Sequence, residues 1–253
     1  MENRLNYILN TLQQKQEISL QELSDILEVS LVTIRKDVTK LENEGLIVRK
    51  RGKIVAATNM NQIQQPYRIR ESLNEKDKLL IARKVMELIE DDDSIILDSG
   101  TTTYAIANEL LQRKHISIAT NSICAANLLN DSEHSLFLAG GSVLGRGMCT
   151  VGYQAETFFK NLHAKKAFIA TTGIRDNLSL TVTLDIEIGV KKAMIDAADE
   201  IILVASSDKF HNTCLFDFCT ANEIDKIITT HPAPPAAIME IIKANQIELI
   251  YAD

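Results

Sequence analysis

Ile95-Ile96-Leu97-Asp98-Ser99-Gly100-Thr101-Thr102-Thr103 runs three apolar, β-prone residues into a polar turn with one glycine and then straight into a helical pattern. Outward from this stretch the figure repeats. Candidate strands follow at Ile116–Ala119, Leu136–Ala139, Ala167–Ala170, Ile201–Ala205, Ile227–Thr229 and Ile247–Tyr251, with helical stretches between most of them. Short β-branched runs alternating with helices predict a doubly wound, mostly parallel α/β sheet, since parallel neighbours need a crossover between them.

Ligands of such sheets bind beyond the carboxyl ends of the strands. The first strand ends in Asp98, which either reads a ligand or caps the turn, and in Gly100, Thr101, Thr102 and Thr103. Unbonded N–H groups, the positive end of the helix dipole and three hydroxyls make that turn a phosphate cradle, with ordinary capping as the alternative. The next strands end in Thr120-Asn121-Ser122, in Gly140-Gly141-Ser142 and in Thr171-Thr172-Gly173. Four polar ends on one edge predict a site for a small anionic ligand.

Upstream, Leu5, Ile8, Leu9 and Leu12 keep helical spacing and predict a helix over about residues 3–14. Ser19 stands three residues before Glu22, a capping box for a second helix carrying Leu20, Leu23, Ile26 and Leu27. Ser30 caps a third, whose Leu31, Ile34, Val38 and Leu41 form one inward stripe and whose stop is Gly45. Val32, Thr33, Arg35, Lys36, Thr39 and Lys40 lie off that stripe. Leu46-Ile47-Val48 and Ile54-Val55-Ala56 then flank the basic turn Arg49-Lys50-Arg51-Gly52-Lys53, a hairpin. Three helices and a basic hairpin make a winged helix-turn-helix. Its third helix enters the major groove, and its wing lies on phosphates or in the minor groove. A plain three-helix bundle with a solvated basic face is the alternative.

The net charge of −7 argues against a DNA binder until it is divided. Residues 1–57 hold nine basic and eight acidic side chains, and residues 58–253 hold 18 and 26. The positive field is local to the head, and the acidic remainder limits non-specific adhesion to nucleic acid. Thr58 to Gln65 is polar and rich in Asn and Gln, and Pro66 follows, so 58–66 reads as a linker. Residues 67–90 then read as a helix docking on the next domain. No apolar run approaches bilayer length and the start has no secretion signal, which predicts a cytoplasmic protein without a membrane partner. The scattered Cys124, Cys149, Cys214 and Cys219 read as reduced small hydrophobes rather than metal ligands, and none of the five histidines forms a spaced pair.

Two motif strings carry a family resemblance. Val29-Ser30-Leu31-Val32-Thr33-Ile34-Arg35-Lys36-Asp37-Val38 with Leu41-Glu42-Asn43-Glu44-Gly45-Leu46-Ile47 resembles the recognition helix of the DeoR family of bacterial regulators. Where that family has a Gly-Gly-Ala wing, this chain has Arg51-Gly52-Lys53-Ile54-Val55. Leu97–Thr103, Thr120-Asn121-Ser122, Leu138–Gly141, Gly152, Thr172-Gly173-Ile174, Glu187 with Val190–Met194, and Lys209-Phe210 resemble its C-terminal domain in order and spacing. The resemblance covers about residues 1–250. It implies an effector domain similar in fold to ribose-phosphate isomerases, with a sugar phosphate as effector. It implies a phosphate cradled by Gly100, Thr101, Thr102 and Thr103 and a sugar lined by Asn121, Gly141 and Thr172. Glu187 would accept a hydroxyl, and Lys191 would meet an oxygen or the phosphate. From the residues alone, Lys191 beside Lys192 could equally be a solvated helix face. One departure is Ser206, where the family often has an Asp three residues before its Lys-Phe pair.

The expected organisation is a DNA-binding domain over 1–57, a linker over 58–66 and an effector-sensing, oligomerising domain over 67–253. The expected function is transcriptional regulation, most simply repression of sugar-metabolism genes. Operator DNA would be read by Ser30, Val32, Thr33, Arg35, Lys36, Arg49, Lys50 and Arg51, and a phosphorylated sugar would bind at Asp98 and the residues above. A homo-oligomer is expected, and no cofactor, metal or catalytic residue. The rival is a sugar-phosphate isomerase fused to a DNA-binding head. Against it, the strand end Ala170-Thr171-Thr172-Gly173 lacks the carboxylates such isomerases carry, and Asp196-Ala197-Ala198-Asp199-Glu200 precedes a strand and so lies at the opposite edge.

Overall fold

The computed structural model describes residues 2–15, 17–43, 46–56, 67–145 and 147–253. The expected linker at 58–66 and the expected helix stop at Gly45 lie outside the described residues. The chain divides into two compact units, Met1–Leu73 and Asn74–Asp253.

In the first unit, α1 (Glu2–Lys15), β1 (Glu17–Ser19), α2 (Leu20–Ile26), α3 (Leu31–Asn43), β2 (Ile47–Lys50), β3 (Lys53–Ala56) and α4 (Tyr67–Ser72) follow in order. The Ser19 hydroxyl caps α2 by accepting from the Glu22 N–H at 3.0 Å. Leu5, Ile8, Leu12, Leu23, Ile34, Val38, Leu41 and Ile54 close one core. Leu31 is only half-buried, so the inward stripe of α3 begins at Ile34. The hairpin β2–β3 closes on Arg51 and Gly52, both at positive φ (33° and 83°), between the paired Lys50 and Lys53. That two-residue turn matches the right-handed twist of its strands, and one glycine suffices for it. The sequence reading missed β1, which pairs with β3 and makes the wing three-stranded.

The expected helix over 67–90 is two helices. Asn74 takes a left-handed conformation (φ 52°) between α4 and α5 (Glu75–Met86), which ends the first and starts the second. The chain's contacts divide at the same point, so α4 falls with the first unit and only α5 with the large one.

In the second unit come β4 (Ser94–Leu97), α6 (Thr101–Leu110), β5 (Ser117–Thr120), α7 (Ile123–Leu129), β6 (Ser135–Leu138), β7 (Ser142–Leu144), β8 (Cys149–Val151), α8 (Tyr153–Lys160), β9 (Ala164–Ile169), β10 (Gly173–Ile174), β11 (Leu180–Val182), α9 (Ile188–Asp196), β12 (Ala198–Val204), β13 (Phe216–Cys219), β14 (Lys226–Thr229), α10 (Ala236–Ala244) and β15 (Glu248–Tyr251). The seven expected strands are all present, within a few residues of their expected ends. They form one sheet in the order β15-β14-β12-β9-β4-β5-β6, parallel at every pairing. One face is covered by α5, α6 and α7 and the other by α8, α9 and α10. Successive strand residues alternate between them: Ile95 and Leu97 enter the first layer and Ile96 the second. Two smaller pieces sit outside the pattern, the hairpin β7–β8 and the antiparallel sheet β10-β11-β13.

Candidate functional site

The head presents one polar helix face. With Ile34, Val38 and Leu41 buried, Val32, Arg35, Lys36, Thr39 and Lys40 are exposed and Thr33 half-buried. Ser30 accepts the Thr33 N–H at 3.3 Å and starts α3. Asp37 is buried on the opposite flank, where Arg4 of α1 donates to it at 2.8 Å and locks the helix roll. In the wing, Lys50 and Arg51 are exposed. Arg49 is already engaged: its Nε donates to Glu42 at 2.9 Å, and a second guanidinium nitrogen donates to the Thr39 hydroxyl. Lys53 pairs with Glu17 of β1 at 2.6 Å.

In the large unit the strand order runs β4-β5-β6 one way and β9-β12-β14-β15 the other, so it reverses between β4 and β9. A doubly wound sheet opens its ligand crevice at such a reversal. Three of the four polar strand ends meet there, those of β4, β5 and β9. Helix α6 starts at Gly100 with no side-chain cap, leaving the first-turn N–H groups of Thr101–Thr103 without an intrahelical acceptor. A methyl group at Gly100 would lie 3.1 Å from the Ala170 Cβ, so glycine lets the β4 turn close on the end of β9.

Asp98 is fully buried and spent inside the protein. Its carboxylate accepts from the Ser99 N–H (2.7 Å), from the Ala170 N–H (2.9 Å) and from Lys191. Lys191, buried on α9, also donates to the Ala170 carbonyl at 2.8 Å and lies 5.0 Å over the Phe218 ring. The solvated-face alternative for Lys191 therefore fails. The ammonium neutralises Asp98 and ties the ends of β4 and β9 together across the crevice. Residue spacing gave no signal of this pair, whose members are 93 positions apart.

Asn121 follows β5 on the face shared by Ile96 and Ala119, beside Asp98 in the strand register. Its amide donates to the Thr150 carbonyl at 3.0 Å, and its backbone carbonyl accepts the Thr150 N–H at 2.9 Å. Its Oδ1 is buried with no hydrogen-bond partner. A buried acceptor without a donor costs about 1–3 kcal/mol, so it calls for a ligand group. Thr172 donates its N–H to the Thr181 carbonyl at 3.2 Å and remains half-exposed at the end of β9. Glu187 precedes α9 and acts electrostatically on Cys149 and Cys214. Gly141 has a different reason to be glycine: at φ 140°, a Cβ there would lie 2.6 Å from the Val151 carbonyl oxygen. Sequence reading missed Thr150 and Cys149. Burial pushes the Cys149 thiol up to about 11, against a hydrogen bond with Ser99. At the family departure, Ser206 donates to Asp208. Among the described residues no group of metal-ligating side chains converges, and no helix is long and apolar enough to cross a membrane.

A winged helix followed by a doubly wound unit with a polar crevice at its switch point defines a DNA-binding transcription regulator that carries its own sensor domain. The chain belongs to the DeoR family: the DeoR-like helix-turn-helix domain matches residues 4–59 and the DeoR C-terminal sensor domain residues 73–231. It is 32% identical to the HTH-type transcriptional repressor GlcR of Bacillus subtilis, over 100% of this chain and 96% of that one. It is 29% identical to the glycerol-3-phosphate regulon repressor of Escherichia coli, over 97% of each. A solved ribose 5-phosphate isomerase A from Methanocaldococcus jannaschii aligns over 56% of this chain and 55% of its own, with 19% identity and a TM-score of 0.40.

Proposed function

We propose that the chain is a cytoplasmic, homo-oligomeric repressor whose operator binding is controlled by a phosphorylated sugar in the β4–β9 crevice. The observation that carries the ligand reading is the buried, donorless Oδ1 of Asn121, on the same carboxyl edge as the start of α6, which has no side-chain cap. One end of the crevice asks for a hydroxyl donor and the other for an anion, which a sugar phosphate supplies together. The E. coli relative, named for a glycerol 3-phosphate regulon, supports the same chemistry. On the head, the exposed Val32 suits a thymine methyl, while Arg35 and Lys36 reach base edges or phosphates. Lys191 serves the site by holding Asp98 and Ala170 and leaves the phosphate to the helix N–H groups.

Two placements weigh against the rival isomerase reading. Asp199 and Glu200 lie near the amino end of β12, paired with His163 (2.9 Å) and Lys226 (3.2 Å). At the carboxyl edge Asp98 is tied to Lys191, which removes it as a general base. The test is a thermal-shift screen of sugar phosphates against the same sugars unphosphorylated and against inorganic phosphate. A ligand at about 100 times its Kd adds roughly 2.7 kcal/mol of stability. The hit should change operator affinity in the parent and leave Thr102→Ala and Asn121→Leu unresponsive, with normal operator binding. Equal responses in both variants would place the ligand elsewhere.

A further inference from the structure

We infer that a second copy of this chain covers the sheet edge made by β6 together with the β7–β8 hairpin, one step removed from the effector crevice. The inference rests on the oligomer reading above and names its surface. Both ends of the seven-stranded sheet are open edges, and they are built differently. On β15 the edge carries Glu248, held by Lys226 at 2.9 Å, and its apolar side chains are half-buried. Charge on an edge strand discourages pairing with another chain. On β6, Ser135-Leu136-Phe137-Leu138 has no charge and no proline, and it is apolar on both sides of the edge: Phe137, 52% exposed, lies on the α8 side of the sheet and Leu138, 46% exposed, on the α7 side. The hairpin adds Val143 at 64%, and Tyr153, just beyond β8, adds 78%. A groove of about 400 Å³ adjoins Phe137 on the α8 side, between Ala119 of the sheet and Phe158 and Leu162 of α8, and runs to the amino ends of β4 and β5 at Ser94 and Ser117. An apolar patch of this kind marks an interface.

Charge selects the occupant. Residues 58–253 carry a net −8, so two copies repel over most of their surfaces, while residues 135–145 contain no charged side chain. That neutral stretch lets like approach like. Two-fold symmetry sets the same patch against itself, as most soluble homodimers do. The surface is also wired to the crevice. Thr150 of β8 pairs with Val143 of β7, exchanges backbone and side-chain bonds with Asn121, and donates its hydroxyl to the Ala139 carbonyl at 2.7 Å. A ligand bonded to the Asn121 amide therefore pulls on the hairpin that carries the interface.

The experiment is sedimentation velocity on the full chain at micromolar concentration, with operator binding measured in parallel. Val143→Asp and Phe137→Asp change exposed side chains, and an unchanged thermal melt checks their folding. Leu215→Asp, equally exposed on the loop before β13, is the control. The expected result is an oligomeric parent and control, monomeric Val143→Asp and Phe137→Asp, and operator affinity at least about 100-fold weaker in the monomers, since a single head loses avidity. A monomeric parent would overturn the proposal together with the oligomer reading. Oligomeric, folded Val143→Asp and Phe137→Asp would overturn this surface and leave that reading standing.

Discussion

Replacing either member of the Asp98–Lys191 pair should destabilise the large unit strongly, and replacing both should restore most of the loss. Asp98 has no exposed surface and Lys191 very little, so removing one partner strands a charge in the interior. Losses of this kind run at about 3–5 kcal/mol, whereas substituting a whole buried pair by apolar or neutral groups of similar volume is often near neutral. The structure also orders the two single variants. Without Lys191, the Asp98 carboxylate keeps the N–H groups of Ser99 and Ala170, at 2.7 and 2.9 Å. Without the Asp98 charge the Lys191 ammonium loses its anionic partner, and among the described residues the Ala170 carbonyl and the Phe218 ring remain to it. Lys191→Met should therefore cost about 3 kcal/mol and Asp98→Asn about 5, with the double variant within ~2 kcal/mol of the parent. The assay is urea unfolding of the full chain, followed on the transition of the Asn74–Asp253 unit, since two units need not melt as one. If Lys191→Met unfolds like the parent, or if the two losses simply add, the pair does not tie β4 to β9 and the argument fails.

Further predictions concern the head and the opposite edge of the sheet. Lys50→Ala and Arg51→Ala should each flatten the salt dependence of operator binding by about one unit of slope, as loss of a phosphate contact does. Arg49→Ala should weaken binding with little change of slope, because Glu42 and Thr39 already hold its guanidinium, and Arg35→Ala should cost about 1–3 kcal/mol in operator affinity if it reads a base edge. Burial raises the Asp93 carboxyl, but hydrogen bonds from Lys165, Lys166 and the Glu90 N–H outweigh it and hold it at about 2, below the ordinary 3.8. A depressed carboxyl stabilises the fold above its unfolded pKa, and that stability is lost as pH falls from about 4 towards 2. Parent and Asp93→Asn should thus converge on acidification by about 2 kcal/mol, read from urea unfolding at pH 6 and pH 2.5.

The parallel sheet was legible because each of its strands is a short apolar run between helices, and burial on both faces makes such runs continuous. The recognition helix was legible from the spacing of Ile34, Val38 and Leu41 and from the cap at Ser30, as the helix before it was from the cap at Ser19. What escaped was either too short or too distant. Strands of two to four residues, such as β1, β7, β8, β10, β11 and β13, carry no periodicity of their own and exist by pairing. The break at Asn74 interrupts a run of good helix formers without a proline or glycine to announce it. At the candidate site, sequence could name Asp98, Asn121 and Lys191 singly. That the first and last are bonded to each other, and that Asn121 has an acceptor to spare, are facts of tertiary packing.

The place of β4 between β5 and β9 has a consequence for how the molecule is made. Residues up to Ala56, which contain the three wing strands and the recognition helix, leave the ribosome early, while β4 waits for β9 to cover its other side. Leu97 and the end of β9 at Ile169 are 72 residues apart, so at 5–20 residues per second that wait is roughly 4–14 seconds. During it a complete DNA-reading head is attached to a sensor that has no crevice, because the crevice is the seam between β4 and a strand not yet synthesised. The nascent chain also exposes the apolar edge of β4, a surface for which chaperones compete. With the effector site proposed above, each molecule thus passes through a brief stage with a finished DNA-reading head and no ligand site.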